Sequence, residues 1–305
     1  MRLKTNNYKL KNSAEIQRSF LLFLGQNNHG DFVNIRTDLI LEQSNTCGKI
    51  KGVQKCREII GTTVLDTVKI VDGYAADILK KPVGTYCTVT FPRLDLVCDT
   101  ADIINATVKS LKTVFENDIC SAFVIGLGNT DITPDALGPF AADRVLATRH
   151  LSQTFKRDLG LDNLKSVCTL CPNVLGKTGI ESYDLITAAA SKTKPDVIIA
   201  IDALACREPE RLCRTIQISN TGICPGAGVN NSRKELNQNT IGIPVIAVGV
   251  PTVIDANHFF DTTENMMVTP KEIDLLVEKA AQILSRAINA FLQPELDAEI
   301  IESLT

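Results

Sequence analysis

The sequence lacks a long apolar run, a strong excess of either charge and an internal repeat. A transmembrane helix needs about 18 consecutive apolar residues, so the absence of such a run argues against a membrane protein. The apolar run at residues 20–24 is too short for the core of a signal peptide. The 32 basic and 35 acidic residues leave a formal net charge of −3, so no broad cationic surface is available to bind nucleic-acid phosphates. We therefore predict a cytoplasmic protein that binds neither a membrane nor nucleic acid directly.

The sequence also lacks the ligand pattern of a structural zinc site, although it holds ten cysteines. Cys168 and Cys171 form a single Cys-x-x-Cys pair, without a second pair or a nearby histidine to complete four ligands. A chain of 305 residues can bury its own core without disulfides. Buried, inert thiols in a reducing compartment are therefore expected, with no zinc bound by this cysteine pair.

Motifs for nucleophilic catalysis are scarce. The sequence has no Gly-x-Ser-x-Gly elbow. His150 ends a predicted helix, where a cation suits the helix dipole. Cys206 would be a thiolate nucleophile only if it escaped the burial that is usual for cysteine. A nucleophilic mechanism is therefore the weaker interpretation.

Short apolar segments that alternate with helical patterns predict an α/β fold. Near-continuous apolar runs are typical of strands buried on both faces, and helical periodicity separates most of them. We expect a mostly parallel sheet with helices on both faces. The predicted strands are residues 120–126, 166–171, 196–201 and 243–250, and the predicted helices are 134–150, 179–193 and 206–213.

Further elements are predicted on either side of this core. Alternating patterns at 63–71 and 85–91 predict a small β-rich subdomain at about 60–95. Helical spacing predicts a helix over 99–118. A capping-box pattern with proline at the first helical position predicts a C-terminal helix over 270–292. The first thirty residues lack periodicity, which predicts a removable extension.

Three carboxylates follow predicted strands: Asp135, Asp202 and Asp255. Ligands of open α/β sheets bind beyond the carboxyl ends of the strands, so these side chains could converge at one crevice. A simpler interpretation makes Asp202 a helix cap and places Asp135 in a helix start capped by Thr133. The residues alone leave both interpretations open.

Converging carboxylates would support two different chemistries. Two aspartates a few ångströms apart share one proton and activate water against a carbonyl, as in aspartic-type hydrolysis. Three could instead hold a divalent metal, as in a metal-dependent hydrolase or a metal-sensing maturation peptidase. A third hypothesis is a non-enzymatic module that binds a basic or DNA-associated protein through the same acidic strand ends.

Two glycine-containing loops are candidates for a substrate cleft. In the first, Gly128 and Asn129 follow a strand, but Asp131 stands where a dinucleotide fingerprint has its third glycine. In the second, Gly226 and Gly228 lie in a long stretch of turn formers that could form the wall of a peptide cleft.

An ordered series of motifs from residue 34 onward resembles the germination protease family of endospore-forming bacteria. It includes Asp38 and Leu39 in Ile-Arg-Thr-Asp-Leu, and the Asp135 and Asp202 segments. The matching stretches are residues 35–39, 126–129, 133–139, 148–151, 178–181, 194–196, 201–205, 215–219, 221–223, 225–226, 233–236, 243–244 and 267–272.

The resemblance implies an atypical aspartic endopeptidase that degrades small acid-soluble spore proteins in the forespore or spore core. It implies Asp135 and Asp202 as the catalytic pair, no required metal, a homotetramer, and a fold similar to that of hydrogenase maturation proteases. It also implies a self-processing zymogen cleaved between Asp38 and Leu39, with residues 1–38 as propeptide and 39–305 as the peptidase domain. The propeptide is longer here than is usual, and the family's insertion before the C-terminal helix is nearly absent.

Overall fold

One mixed β-sheet connects most of the described chain. The computed structural model describes residues 37–46, 50–158, 160–225, 234–259 and 266–305. The strands in chain order are β1 Val53–Ile60, β2 Thr63–Ile70, β3 Gly84–Thr90, β4 Ser121–Gly126, β5 Ser166–Leu170, β6 Val197–Cys206, β7 Thr215–Ser219, β8 Val245–Asp255 and β9 Met267–Val268. They lie in the order β1-β2-β3-β7-β8-β6-β4-β5, and β9 pairs with β8.

The strands β5, β4, β6 and β8 are mutually parallel, and we call them the parallel half. Successive side chains of β4 point to opposite faces, so Phe123 and Ile125 join one buried cluster while Val124 joins another. Burial on both faces explains the continuous apolar runs of these strands. The predicted α/β class is thus confirmed, but the sheet is mixed and not mostly parallel as expected, since its other strand pairs are antiparallel.

The strands β1, β2, β3 and β7 form the antiparallel half. Its last strand, β7, pairs antiparallel with β8 of the parallel half. The predicted β-rich part is therefore continuous with the main sheet, and β8 is the strand on which the two halves meet.

Helices cover both faces of the sheet. The helices in chain order are α1 Ile40–Thr46, α2 Gly73–Leu79, α3 Ala101–Val114, α4 Leu137–Ala142, α5 Gln153–Asp158, α6 Leu175–Thr178, α7 Ser182–Thr193, α8 Gln238–Ile241, α9 Ile273–Leu292 and α10 Ala298–Leu304. Side chains of α3, α4 and α9 share the larger buried cluster with both halves of the sheet. Ile186 and Ala190 of α7 pack on the opposite face.

Several predicted helices are shorter than expected or wrong. The helix predicted at 206–213 is wrong, because β6 stays paired with β8 as far as Cys206 and a 3₁₀ turn at Pro209–Arg211 follows. The helix predicted at 134–150 is reduced mainly to α4. The C-terminal helix begins at Ile273, and the Thr269 hydroxyl donates to the Pro270 carbonyl, so the predicted capping box is wrong.

Some expectations lie outside the described residues. These are the structure of residues 1–36 of the expected extension and the positions of Gly226 and Gly228. Across the described ranges, no helix combines the length with the apolar character needed to cross a membrane.

Candidate active site

A cavity of about 600 Å³ lies where β6, β8 and β7 adjoin, at the junction of the two halves of the sheet. Asp135 and Asp202, the two strand-end carboxylates expected to act together, both line it. Asp38 lines it as well. The structure therefore brings the predicted catalytic pair and the predicted processing site to one cavity.

Asp202 lies within β6 and is only 7 % exposed. The helix-cap interpretation is wrong for this residue because the strand continues for four more positions. Its Oδ1 accepts a hydrogen bond from the Ala203 amide at 2.9 Å. The position of this carboxyl is fixed by β6, which pairs with β4 as far as Ile201 and with β8 at Asp202 itself.

Asp135 is the last residue of a 3₁₀ turn at Thr133–Asp135. The predicted capping by Thr133 is wrong, because Thr133 is itself in the turn and Ile132 precedes it. The carbonyl of Asp135 accepts a hydrogen bond from the Asn129 amide at 3.2 Å. Thus Asn129 holds the backbone of Asp135, and neither Gly128 nor Asn129 is among the residues that line the cavity.

Glycines allow the Asp135 turn to approach the ends of β4 and β6. A Cβ on Gly128, whose φ is +124°, would overlap the carbonyl oxygen of Asp135. A Cβ on Gly138 would overlap the Leu127 carbonyl oxygen and lie 2.5 Å from that of Ile201. The Leu127 amide in turn donates to the Ile201 carbonyl at 2.8 Å, directly before Asp202. This close packing connects the two aspartates through backbone contacts.

The segment around Asp38 is bound against β6 and β7. The Asp38 amide donates to the Ala205 carbonyl at 2.9 Å, and Asp38 Oδ2 accepts from the Ala205 amide at 2.8 Å. The carbonyl oxygen of Asp38 accepts from Lys81 Nζ at 2.9 Å and from Gln217 Nε2 at 2.8 Å. Leu39 that follows is fully buried. The bond between residues 38 and 39 is therefore anchored on both sides.

Asp38 and Lys81 also affect each other electrostatically. Burial raises the pKa of the Asp38 carboxyl, and the Lys81 charge and the Ala205 amide oppose that rise. Burial likewise lowers the pKa of Lys81, against the attraction of Asp38. Each group thus offsets part of the cost of removing the other from water.

Sequence reasoning did not identify Lys81 or Gln217 as site residues. Lys81 lies between the strand patterns predicted at 63–71 and 85–91, in a stretch without a predicted strand or helix, and β7, which carries Gln217, was not predicted as a strand. Their hydrogen bonds to Asp38 span 43 and 179 positions of the chain. Contacts between residues so far apart leave no local periodic signal.

The third candidate carboxylate lies elsewhere. Asp255 ends β8 and accepts from the Asn257 amide at 2.9 Å, and it is absent from the cavity lining. Within the described ranges no three His, Cys, Asp or Glu side chains are grouped as metal ligands would be. The arrangement of Asp135, Asp202 and Asp255 therefore does not support a three-carboxylate metal centre.

The candidate nucleophile pair is not assembled either. Cys206 is buried, and burial raises the pKa of its thiol. Burial also raises the pKa of Cys171 to about 12. His150 is exposed, and neither it nor Cys206 lines the cavity. Thiols with raised pKa values are poor nucleophiles at neutral pH.

Comparison with known proteins gives consistent matches. Residues 34–264 match the family model of the germination protease. The germination protease of Clostridium tetani is 37 % identical over 322 residues, covering 89 % of this chain and 99 % of that protein. That of Caldanaerobacter subterraneus subsp. tengcongensis is 36 % identical over 328 residues, covering 89 % and 98 %.

Among solved structures, a [NiFe] hydrogenase maturation protease HycI from Thermococcus kodakarensis matches at 18 % identity and a TM-score of 0.38. The match covers 60 % of this chain and 98 % of that one. The extent of the sequence matches, together with the family model over most of the chain, shows that this protein is a peptidase belonging to the germination protease family.

Proposed function

We propose that this chain is an aspartic-type endopeptidase in which Asp135 and Asp202 share one proton and activate water. The observation that carries the proposal is that both carboxyls line one cavity, Asp202 from within β6 and Asp135 from a turn next to Gly138, which packs against Leu127 and Ile201. Two carboxylates in such a site do not ionise independently, so the pair holds a proton that one member alone would lose.

In the proposed reaction, the ionised member takes a proton from water as the water oxygen attacks the carbonyl carbon. The protonated member supplies a proton to the substrate, so the pair returns to a singly protonated state. The apparent pKa values of this step belong to the pair jointly. For this reason no separate base and acid are assigned to Asp135 and Asp202.

We further propose that the full chain is a zymogen that cleaves its own bond between Asp38 and Leu39. Support comes from the position of Asp38, which lines the same cavity as the aspartate pair. Residues 1–38 would then be the propeptide and 39–305 the peptidase domain. Membership of the family supports small acid-soluble spore proteins as substrate, a homotetramer and a location in the forespore or spore core.

The test uses purified chain and a purified small acid-soluble spore protein. Asp135→Asn and Asp202→Asn should each lower the rate of substrate cleavage by about 10³-fold or more, as losing one member of a catalytic unit does in other hydrolases. Asp255→Asn is the matched control, because its carboxyl lies outside the cavity and asparagine also caps turns. Cleavage within threefold of wild type in either cavity variant would remove that aspartate from the mechanism.

A further inference from the structure

Two side chains donate hydrogen bonds to the carbonyl oxygen of Asp38. Lys81 Nζ and Gln217 Nε2 donate to it at 2.9 Å and 2.8 Å. Lys81 follows helix α2, and Gln217 lies on β7. Both belong to the antiparallel side of the cavity, opposite the strand that carries Asp202.

Gln217 is oriented so that only its amide nitrogen faces this carbonyl. Its Oε1 accepts a hydrogen bond from the Ile40 amide at 2.7 Å. Because an amide oxygen cannot donate, Nε2 is the Gln217 atom that donates to the Asp38 carbonyl. Gln217 thus contacts the chain on both sides of the bond between residues 38 and 39.

The register of the sheet places Gln217 and Asp202 on one row. Asp202 is paired with Gly249 on β8, and Gly249 is paired with Gln217 on β7. Adjacent strands lie about 4.8 Å apart, so the backbones of Asp202 and Gln217 are about 10 Å apart. Paired residues share a face of the sheet, and the absence of a Cβ on Gly249 leaves room that the Leu204 side chain occupies.

We propose that Lys81 and Gln217 are catalytic residues that bind the carbonyl oxygen on the amino side of the cleaved bond and stabilise the negative charge it gains during attack. This inference rests on the proposed function, since it takes the bond between Asp38 and Leu39 as one the site cleaves. After processing, the same two donors would receive the corresponding carbonyl of a substrate protein.

The proposed step balances without another reagent. One aspartate of the pair takes a proton from water, the water oxygen bonds to the Asp38 carbonyl carbon, and the π electron pair moves to the oxygen held by Lys81 and Gln217. The other aspartate gives its proton to the Leu39 nitrogen. The C–O double bond re-forms, the C–N bond breaks, and the products are a new carboxyl group on residue 38 and a new amine on residue 39.

The test removes the hydrogen-bond donor of each residue while keeping the size of the side chain nearly unchanged. Gln217→Glu retains an acceptor for the Ile40 amide but cannot donate to the carbonyl, and Lys81→Met retains the stem without the charge. Each should slow self-cleavage of the full chain by about 10²-fold, the usual effect of losing one donor to a developing oxyanion. Lys81→Arg should recover part of the rate because it restores a charged donor. The controls are Gln54→Glu and Lys69→Met, an exposed pair on β1 and β2 that lies opposite in register.

A second readout separates catalysis from a purely structural clamp. Processed material from each variant is assayed on a peptide with the sequence of residues 34–43. Loss of transition-state donors should lower kcat about 10²-fold and leave KM within threefold, and the thermal unfolding temperature should match that of the controls. A rise in KM with unchanged kcat would overturn the inference.

The outcomes also distinguish this inference from the proposed function. In one outcome, wild type cleaves between residues 38 and 39 and Asp202→Asn does not, but Gln217→Glu and Lys81→Met both cleave within threefold of wild type. This outcome would refute the role of Lys81 and Gln217 and leave the role of the aspartate pair intact. If wild type does not cleave there, or Asp202→Asn cleaves at the wild-type rate, the proposed function itself fails and the inference fails with it.

Discussion

In the parallel half of the sheet, β6 buries nearly every side chain, whereas in the antiparallel half β1 exposes most of its side chains. The difference extends to the site. The parallel half holds Asp202 in β6, contacts the glycine-packed turn of Asp135 and binds Asp38 through the backbone of Ala205. The antiparallel half binds the carbonyl oxygen of Asp38 through Gln217. The parallel half thus carries the proposed reacting carboxyls, and both halves bind the chain to be cleaved.

Among substitutions that leave the proposed catalytic side chains in place, Gly138→Ala should have the largest effect, and it should act on the parallel half. The added methyl would overlap the Leu127 carbonyl oxygen and displace the turn that carries Asp135. Overpacking of this kind costs about 1–3 kcal/mol of unfolding free energy, and a shift of about 1 Å at a catalytic group costs about 10²-fold in rate. Self-cleavage kinetics and urea unfolding measure the two effects.

The matched control for this change lies in the antiparallel half. Gly73 begins helix α2, and a Cβ there has nothing within 4 Å. Gly73→Ala should therefore leave the cleavage rate unchanged and the unfolding free energy equal or slightly higher. Equal losses of cleavage rate and unfolding free energy in both glycine variants would show that the close packing at Gly138 does not determine the geometry of the site.

Glu42→Gln tests how the segment that follows the processing site is anchored. Glu42 is fully buried, and its two carboxylate oxygens accept from the amides of Arg207 and Glu208 at 2.8 Å and 2.9 Å. An amide side chain cannot accept both bonds, so one buried donor loses its partner, at a cost of about 2 kcal/mol. Urea unfolding of the wild type and the variant measures this loss, and equal midpoints would contradict the anchoring role.

Asp196→Asn gives a smaller, pH-dependent effect at the start of the parallel half. Partial burial opposes the shift, but hydrogen bonds from Ser121 and Cys120 prevail and lower the pKa of Asp196. The ionised form is therefore the stabilising one. Its contribution, about 1 kcal/mol for an exposed group, is present at neutral pH and lost as the pH falls through the folded-state pKa.

The difference in unfolding free energy between wild type and Asp196→Asn should accordingly be largest near pH 7 and shrink below about pH 4, the ordinary aspartate pKa. Thermal unfolding of wild type and Asp196→Asn across this pH range measures that difference. A difference that stayed constant or grew on acidification would contradict the assigned hydrogen bonds.

Cys206→Ala should have the smallest effect on activity. Burial raises the pKa of this thiol, and the side chain lies outside the cavity lining. We expect a cleavage rate within threefold of wild type and a modest loss of stability from the vacated volume, about 1 kcal/mol. A rate loss comparable to that of Asp202→Asn would instead support a cysteine nucleophile.

The two halves also differ in how well the sequence predicted them. Continuous apolar runs marked β4, β5, β6 and β8, and the rule that ligands bind beyond strand ends led to Asp135 and Asp202. β1 was missed because an exposed edge strand carries charged residues such as Arg57 and Glu58. Lys81 and Gln217 were missed because their contacts with Asp38 depend on the order of strands in the sheet, which periodicity does not encode.

Mass spectrometry of the full chain, incubated alone, tests self-cleavage by the proposed aspartate pair. Wild type should lose residues 1–38 and yield a product that begins at Leu39, while Asp202→Asn should remain at full length and unfold at the wild-type temperature. A folded Asp202→Asn chain that releases the same product at the wild-type rate would show that Asp202 does not act in the cleavage.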